Sequence, residues 1–366
     1  MRSKTRVSTS VSVTSSWFTY RLRRRGGGDE RDVSFNLRPH AFKDQLRICG
    51  VARESMAETS VARDLVGYGA RGFDPKWPGG KKLALQFVLN YEEGGENCLL
   101  NGDAASEHLL SDIVGAAPYV GQRHMNMESL YEYGSRAGFW RLHRAFTERS
   151  IPLTVYAVGL ALEKNTQAAQ AMKDAGWEVA SHGYRWIDYQ NVDEATEREH
   201  IRKTVAIHEK LLGKRPVGIY QGKPNVNTRR LVVEEGGFLY DADAYNDDLP
   251  YWNMQFGRPH LVIPYTLNNN DMKFVSAQGF NSGDQFFTYL KDAFDVLLAE
   301  GRAGQPKMMS VGLHCRVVGH PGRIAALLRF LDYVQSFQDV WICKREDIAH
   351  HWYKTHYPQA ASASKL

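Results

Sequence analysis

From Lys82 to Tyr353, short apolar runs alternate with amphipathic stretches, and this alternation limits the available folds more than any other feature of the chain. Leu83–Tyr91 (LALQFVLNY) reads as a buried strand. Residues 153–158, 177–181, 217–220, 238–240, 261–265, 307–313 and 340–343 repeat the pattern. Between them lie helical periodicities at 127–149, 166–175, 193–212, 228–235, 284–300, 322–337 and 345–353. In the first, Leu130, Tyr133, Ala137, Trp140 and Leu142 are expected near one face. Strand–helix alternation of this kind predicts an α/β fold with a mainly parallel sheet covered by helices. Seven or eight units with no internal repeat and no linker within 61–356 predict one domain, a closed or distorted (β/α) barrel.

The two ends read differently. Residues 1–60 carry 12 of the 46 Lys and Arg but 6 of the 41 Asp and Glu, so the formal charge of +5 belongs to this leader. The remainder has no basic excess and no nucleic-acid partner is expected. Residues 1–28 are rich in Ser, Thr and Arg, have no acid, and end in Arg23-Arg24-Arg25-Gly26-Gly27-Gly28. They read as a flexible leader, either a transit peptide or, as favoured here, sequence upstream of a true start at Met56. Residues 358–366 read as an exposed tail ending in Ser364-Lys365-Leu366, the form of a peroxisomal address recognised by an import receptor. Peroxisomal localisation is the expectation, with the cytoplasm as alternative. No run approaches the roughly 20 apolar residues of a membrane helix, so no membrane association is expected. Cys49, Cys98, Cys315 and Cys343 form no Cys-x-x-Cys and are expected as free thiols in a reducing compartment.

Active sites of parallel α/β folds form at the carboxyl ends of strands. Three such ends carry ionisable side chains. Asn90-Tyr91-Glu92-Glu93-Gly94-Gly95 closes the first strand, and its two carboxylates suit a general base and a proton carrier. Neighbouring strand residues point to opposite faces, so both reach one site only if the strand has already ended. Ser181-His182-Gly183 and Leu313-His314-Cys315-Arg316 each place a histidine in the same position. Singly, a loop Glu pair or a core His is the ordinary explanation; three at three strand ends form a constellation. Asp241 and Asp243 follow another short strand, either as loop-capping groups or to orient His182 or His314 or accept from urea-like N–H donors. Gly67-Tyr68-Gly69-Ala70-Arg71-Gly72 matches a dinucleotide fingerprint but has no preceding strand and is followed by Pro75 and Pro78, so a loop is expected. No two of the 13 His stand two or four apart, and no zinc-ligand trio stands out.

Several of these stretches together resemble the allantoinases of the polysaccharide-deacetylase superfamily, over residues 64–357. They are Arg63 to Gly69, Trp77-Pro78-Gly79-Gly80, Phe87 to Asn97, Glu132 to Arg136, Tyr240 to Trp252, Asn281 to Gln285 and Gly312 to Arg316. The resemblance implies a distorted barrel of the NodB-homology type and a homo-oligomer. It places Asn90-Tyr91-Glu92-Glu93 where the wider superfamily has Thr-Phe-Asp-Asp, with Glu92 at the base and Glu93 at the metal-binding carboxylate. It sets His182 at the first of two metal-binding histidines and Trp186 at the second. The following motif's arginine is replaced within Tyr220-Gln221-Gly222-Lys223, and His314 matches the histidine that assists the leaving group. Indole cannot bind zinc, so the resemblance implies a hydrolase with neither metal nor other cofactor.

The reaction expected is opening of the hydantoin ring of allantoin by water, giving allantoate. Glu92, Glu93 or His182 would take the water proton, and His314 would protonate the departing nitrogen. Asn90, Trp186, Lys223, Asp241 and Asp243 are the expected substrate contacts, with a flat heterocycle against Trp186. The alternatives are a chitin or peptidoglycan N-deacetylase and a catalytically inactive ureide-binding protein.

Overall fold

The computed structural model describes residues 63–358 and, nearer the N-terminus, the backbone of three strands. Two compact units make up the chain, Met1–Val66 and Gly67–Leu366. In the first, β1 (Arg6–Thr14), β2 (Trp17–Arg25) and β3 (Val33–Leu37) form an antiparallel sheet in that order. They lie within the expected leader; Met56 is outside the described residues, as are Cys49 and the terminal Ser364-Lys365-Leu366.

The second unit is built on a nine-stranded sheet. Its strands are β4 (Leu83–Tyr91), β5 (Thr154–Ala157), β6 (Glu178–Ser181), β7 (Gly218–Ile219), β8 (Tyr240–Asp241), β9 (Tyr251–Asn253), β10 (His260–Val262), β11 (Lys307–His314) and β12 (Val340–Ile342). The spatial order is β11-β4-β5-β6-β7-β8-β10-β9, with β12 also against β4. All pairings are parallel except β9 with β10. The chain thus adds a short antiparallel edge strand that the sequence did not announce. The sheet curls into the expected distorted barrel. Between β10 and β11 it is joined by an isolated bridge, Asn270 with Gly312, and not by a ladder.

All nine residues of β4 are buried, because the strand is covered on both faces. Leu83, Leu85, Phe87, Leu89 and Tyr91 pack outward under helices, while Ala84 and Val88 point into the barrel. Small residues leave room there for Tyr156, Tyr220, Tyr240 and Tyr265, which fill the interior. Helices α1 (Met125–Tyr133) and α2 (Phe139–Thr147) are joined without a break by a π turn, Gly134–Gly138. The others are α3 (Gly159–Lys164), α4 (Thr166–Asp174), α5 (Glu194–Leu212), α6 (Thr228–Glu235), α7 (Gly283–Arg302), α8 (Pro321–Val334) and α9 (Arg345–His356). Among the described residues no helix is long and apolar enough to cross a membrane, and Cys98, Cys315 and Cys343 are free and buried.

The α1–α2 face departs from expectation. Its buried residues are Met127, Tyr131, Gly134, Gly138, Phe139, Leu142, Ala145 and Phe146; of the apolar set expected there, only Leu142 is buried. The closest contacts are made by glycines, which an apolar periodicity does not register. A Cβ on Gly138 would stand 2.0 Å from the Cys315 carbonyl oxygen, and one on Gly134 would stand 2.4 Å from Glu93 Oε1.

Candidate active site

The strand β4 ends at Tyr91 and the chain turns at once, with Gly95 N–H donating to the Glu92 carbonyl at 2.8 Å. This turn lets both Glu92 and Glu93 serve one site. His182 follows β6 and His314 is the last residue of β11, so four expected residues converge at the carboxyl ends of three strands. All four are buried.

Glu92 is the hub. Its Oε1 lies 3.3 Å from His182 Nε2 and 3.6 Å from His314 Nε2, while its Oε2 accepts from Arg316 Nη2 at 2.7 Å. Burial alone would neutralise this carboxyl. Arg316, then His314 and His182, overcome that penalty and hold it well below the usual carboxylate range. Glu93 Oε1 is 3.4 Å from Arg316 Nη1, and its Oε2 accepts from Glu92 N–H at 3.1 Å. Burial, reinforced by Glu92, pushes Glu93 upward against Arg316. The two adjacent carboxyls therefore differ in kind, one held charged and the other drawn toward its neutral form.

The imidazoles are each oriented from behind. His182 Nδ1 is 2.7 Å from the Tyr220 carbonyl oxygen, which only accepts, so the proton sits on Nδ1 and the lone pair of the neutral ring is on Nε2. His314 Nδ1 is 2.6 Å from Asp271 Oδ1, and Asp271 Oδ2 accepts from His314 N–H at 2.7 Å and Val318 N–H at 3.0 Å. Burial disfavours a charged His314, but Asp271 and then Glu92 outweigh it and raise its proton affinity. One imidazole is thus backed by a carbonyl oxygen, and the other, backed by a carboxylate, is biased toward the imidazolium.

Trp186 is buried near this group. Lys223 Nζ stands 3.8 Å from its ring centroid and the Arg316 guanidinium carbon 5.3 Å. Asn90 points into the barrel, where its amide donates to Tyr265 Oη at 3.0 Å and to the Leu313 carbonyl at 3.1 Å. Asp241 accepts from Arg229 Nε and Nη2 at 2.7 and 2.9 Å and lies 2.8 Å from His260 Nε2. Asp243 accepts from the N–H groups of Gln221 and Gly222 at 2.8 and 2.7 Å. It thereby anchors the turn whose Tyr220 carbonyl orients His182. Asp243 is pushed up to about 7 by burial and then by Asp241. A cavity of about 250 Å³ reaches Glu93 and Tyr131 and is also lined by Glu96, Glu128 and Lys164.

Two residues of the site escaped the sequence reading as functional groups. Asp271 lies in the run Asn268-Asn269-Asn270-Asp271, far from any strand end, with no local signal. Arg316 stands two residues beyond His314, within a stretch quoted for its histidine, and no role was given to the arginine.

The deacetylase superfamily's metal is a poor fit to these groups. Zinc takes about three protein ligands around an open position. Both carboxylates already face one guanidinium, which cannot give up its charge. Trp186 offers no lone pair. Among the described residues no group of three or more His, Cys, Asp or Glu is arranged to hold a metal ion.

Comparison with known proteins agrees with this architecture. Residues 126–234 match the polysaccharide deacetylase family. A putative polysaccharide deacetylase of Schizosaccharomyces pombe is 42% identical over 313 residues, 80% of this chain and 98% of that protein. The crystal structure of a probable polysaccharide deacetylase from Pseudomonas aeruginosa superposes with a TM-score of 0.80 at 60% identity, covering 81% of this chain and 99% of that one. The Puue allantoinase superposes equally, with a TM-score of 0.80 at 58% identity, over 82% of this chain and 100% of that one.

Proposed function

Because the chain belongs to the polysaccharide deacetylase family, we propose that it hydrolyses an amide C–N bond and that its substrate is allantoin, opened to allantoate. Removing an N-acetyl group and opening a cyclic ureide are the same elementary step, in which water adds to an amide carbonyl and the C–N bond breaks. The observation that carries the step is Glu92 Oε1 facing the Nε2 atoms of two imidazoles, one backed by a carbonyl and the other by a carboxylate. The choice of substrate is supported by 58% identity to the Puue allantoinase along all of that chain.

In this reading a water beside the two Nε2 atoms gives a proton to His182 Nε2 while its oxygen adds to the hydantoin carbonyl. The Glu92 carboxylate, kept charged by Arg316, stabilises the imidazolium that forms. Lys223 and backbone N–H groups meet the oxyanion. His314 then passes its Nε2 proton to the ring nitrogen as the C–N bond breaks, leaving a carboxylic acid that ionises and a ureido NH2 group. His182 then loses its proton to solvent and His314 regains one, with Glu92 charged throughout. Glu93 holds Arg316 from its far side, and Trp186 offers the heterocycle an aromatic wall.

The test is allantoin hydrolysis by the full chain, with and without a strong chelator, beside acetate release from N-acetylglucosamine oligomers. Chelator-resistant allantoate formation is expected. The name of the fission-yeast relative favours a second reading, carbohydrate N-deacetylation; acetate release without allantoate formation would establish that reading and sink the first.

A further inference from the structure

Arg316 is more completely used than any other cation of the site. It is 2% exposed. Its Nε donates to the Leu110 carbonyl at 3.0 Å, Nη2 to Glu92 at 2.7 Å, and Nη1 faces Glu93 at 3.4 Å. Its face lies 4.1 Å from the centroid of Tyr131, with Trp186 at 5.3 Å. The guanidinium is thus held by two aromatic rings, a carbonyl and two carboxylates. Gly134, with no side chain to spare, presses against the Glu93 oxygen that faces it.

We propose that the Arg316 guanidinium is the built-in cation of this site, a positioning residue that takes the place of a divalent metal between Glu92 and Glu93 and excludes one. Two carboxylates and the nearby His182 imidazole are donor types that a divalent ion takes, but with the guanidinium between them no three are arranged around one point among the described residues. Here a fixed positive charge faces one oxygen of each carboxylate, so an entering cation meets both occupied donors and like-charge repulsion. The same grip fixes the Glu92 carboxylate plane. With Oε2 committed to Arg316, Oε1 must face His182 and His314. A planar two-pronged donor does this and an ammonium does not, because its three donors rotate freely and lack the rigid fork that fixes the carboxylate plane. The inference concerns how the site is built and not which substrate it takes, so metal uptake reads it even if allantoin proves to be the wrong substrate.

The experiment compares native protein, Arg316→Met and Arg316→Lys for cobalt(II) binding by equilibrium dialysis and visible absorption, with turnover measured in parallel. Native protein is expected to bind no stoichiometric cobalt. Arg316→Met, with the carboxylates freed, is expected to take up about one equivalent with a ligand-field spectrum. Arg316→Lys keeps the charge and is expected to stay metal-free while kcat falls at least tenfold, and this arm decides the matter if Arg316→Met does not fold. Stoichiometric cobalt in native protein, a folded Arg316→Met that binds none, or an Arg316→Lys with native kcat or bound cobalt would each overturn the proposal.

Discussion

Asp271→Asn isolates the charge behind the proposed acid without changing the shape of the side chain. The carboxylate accepts three hydrogen bonds, from His314 Nδ1 at 2.6 Å, His314 N–H at 2.7 Å and Val318 N–H at 3.0 Å. A carboxamide has one oxygen and one NH2. If the oxygen serves the two backbone donors, the NH2 faces Nδ1 and forces the ring into the other tautomer, a neutral and far weaker acid. If it turns the other way, the backbone donors lose their acceptor. A hydrogen bond to a charged group contributes about 1.5–3 kcal/mol, and loss of a general acid costs about 10²- to 10⁴-fold in rate. Turnover should therefore fall by at least about 10²-fold. The pH–rate profile carries the sharper signature. Asp271 is the largest factor raising the proton affinity of His314, so the alkaline limb of kcat/KM should move to lower pH in the variant. The stability sign follows from the same shift. A histidine whose folded-state value is raised contributes stability that is complete below its unfolded value, about 6.5, and lost as pH rises through the folded value. The variant's stability deficit in urea unfolding should thus be largest below about pH 6.5 and narrow in alkali. An unmoved alkaline limb with near-native turnover would refute the assignment of His314 as acid.

Other predictions follow from neighbouring contacts. Gly134→Ala drives a methyl to within 2.4 Å of Glu93 Oε1; overpacking of this kind costs about 1–3 kcal/mol, so both urea resistance and turnover should drop, and a variant matching the native protein in both would contradict the contact. Trp186→Ala should raise KM for allantoin by about two- to tenfold with a smaller effect on kcat, the contribution of one ring contact being about 0.5–1.5 kcal/mol, with Trp186→Phe intermediate in steady-state kinetics. Glu178, buried against Thr154 and Tyr240, is pushed up to about 7 by burial, then by Glu346. Its contribution to stability is complete below about pH 4.5 and lost as pH rises through about 7. Glu178→Gln should flatten that decline and leave the protein more stable at pH 8 by up to about 3 kcal/mol, as read from unfolding midpoints across pH.

The parts of the site legible in the sequence are those that declare themselves locally. Glu92, Glu93, His182 and His314 each follow a recognisable apolar strand, and a parallel sheet brings strand ends together whatever their order in the chain. The same logic recovers most helices within a residue or two, Thr228–Glu235 among them. What local pattern does not carry is partnership. Arg316 meets Glu92 across 224 positions, and Asp271 reaches His314 from a loop whose composition signals only turns. Asn90 and Asp241 show the converse. Each stands near a strand end, yet Asn90 ties β4 to Tyr265 and Leu313, and Asp241 is taken up by Arg229 and His260. Position relative to a strand told where these side chains begin and not where their hydrogen bonds end. The α1–α2 helix fails for a third reason, since close approach there is made by glycines.

The long reach of the Glu92 contacts has a consequence for how the enzyme acquires its activity as it folds. Glu92 meets His182 across 90 positions and Arg316 across 224, so each contact requires closure of a loop that spans several strand–helix units. Such non-local contacts carry a large ordering entropy and are slow to form. A chain that has assembled only its early strands holds Glu92 with neither its guanidinium nor its second imidazole. Recovery of activity after dilution from denaturant is therefore a late event, trailing the return of helical signal, and no fragment ending before β11 can be partly active.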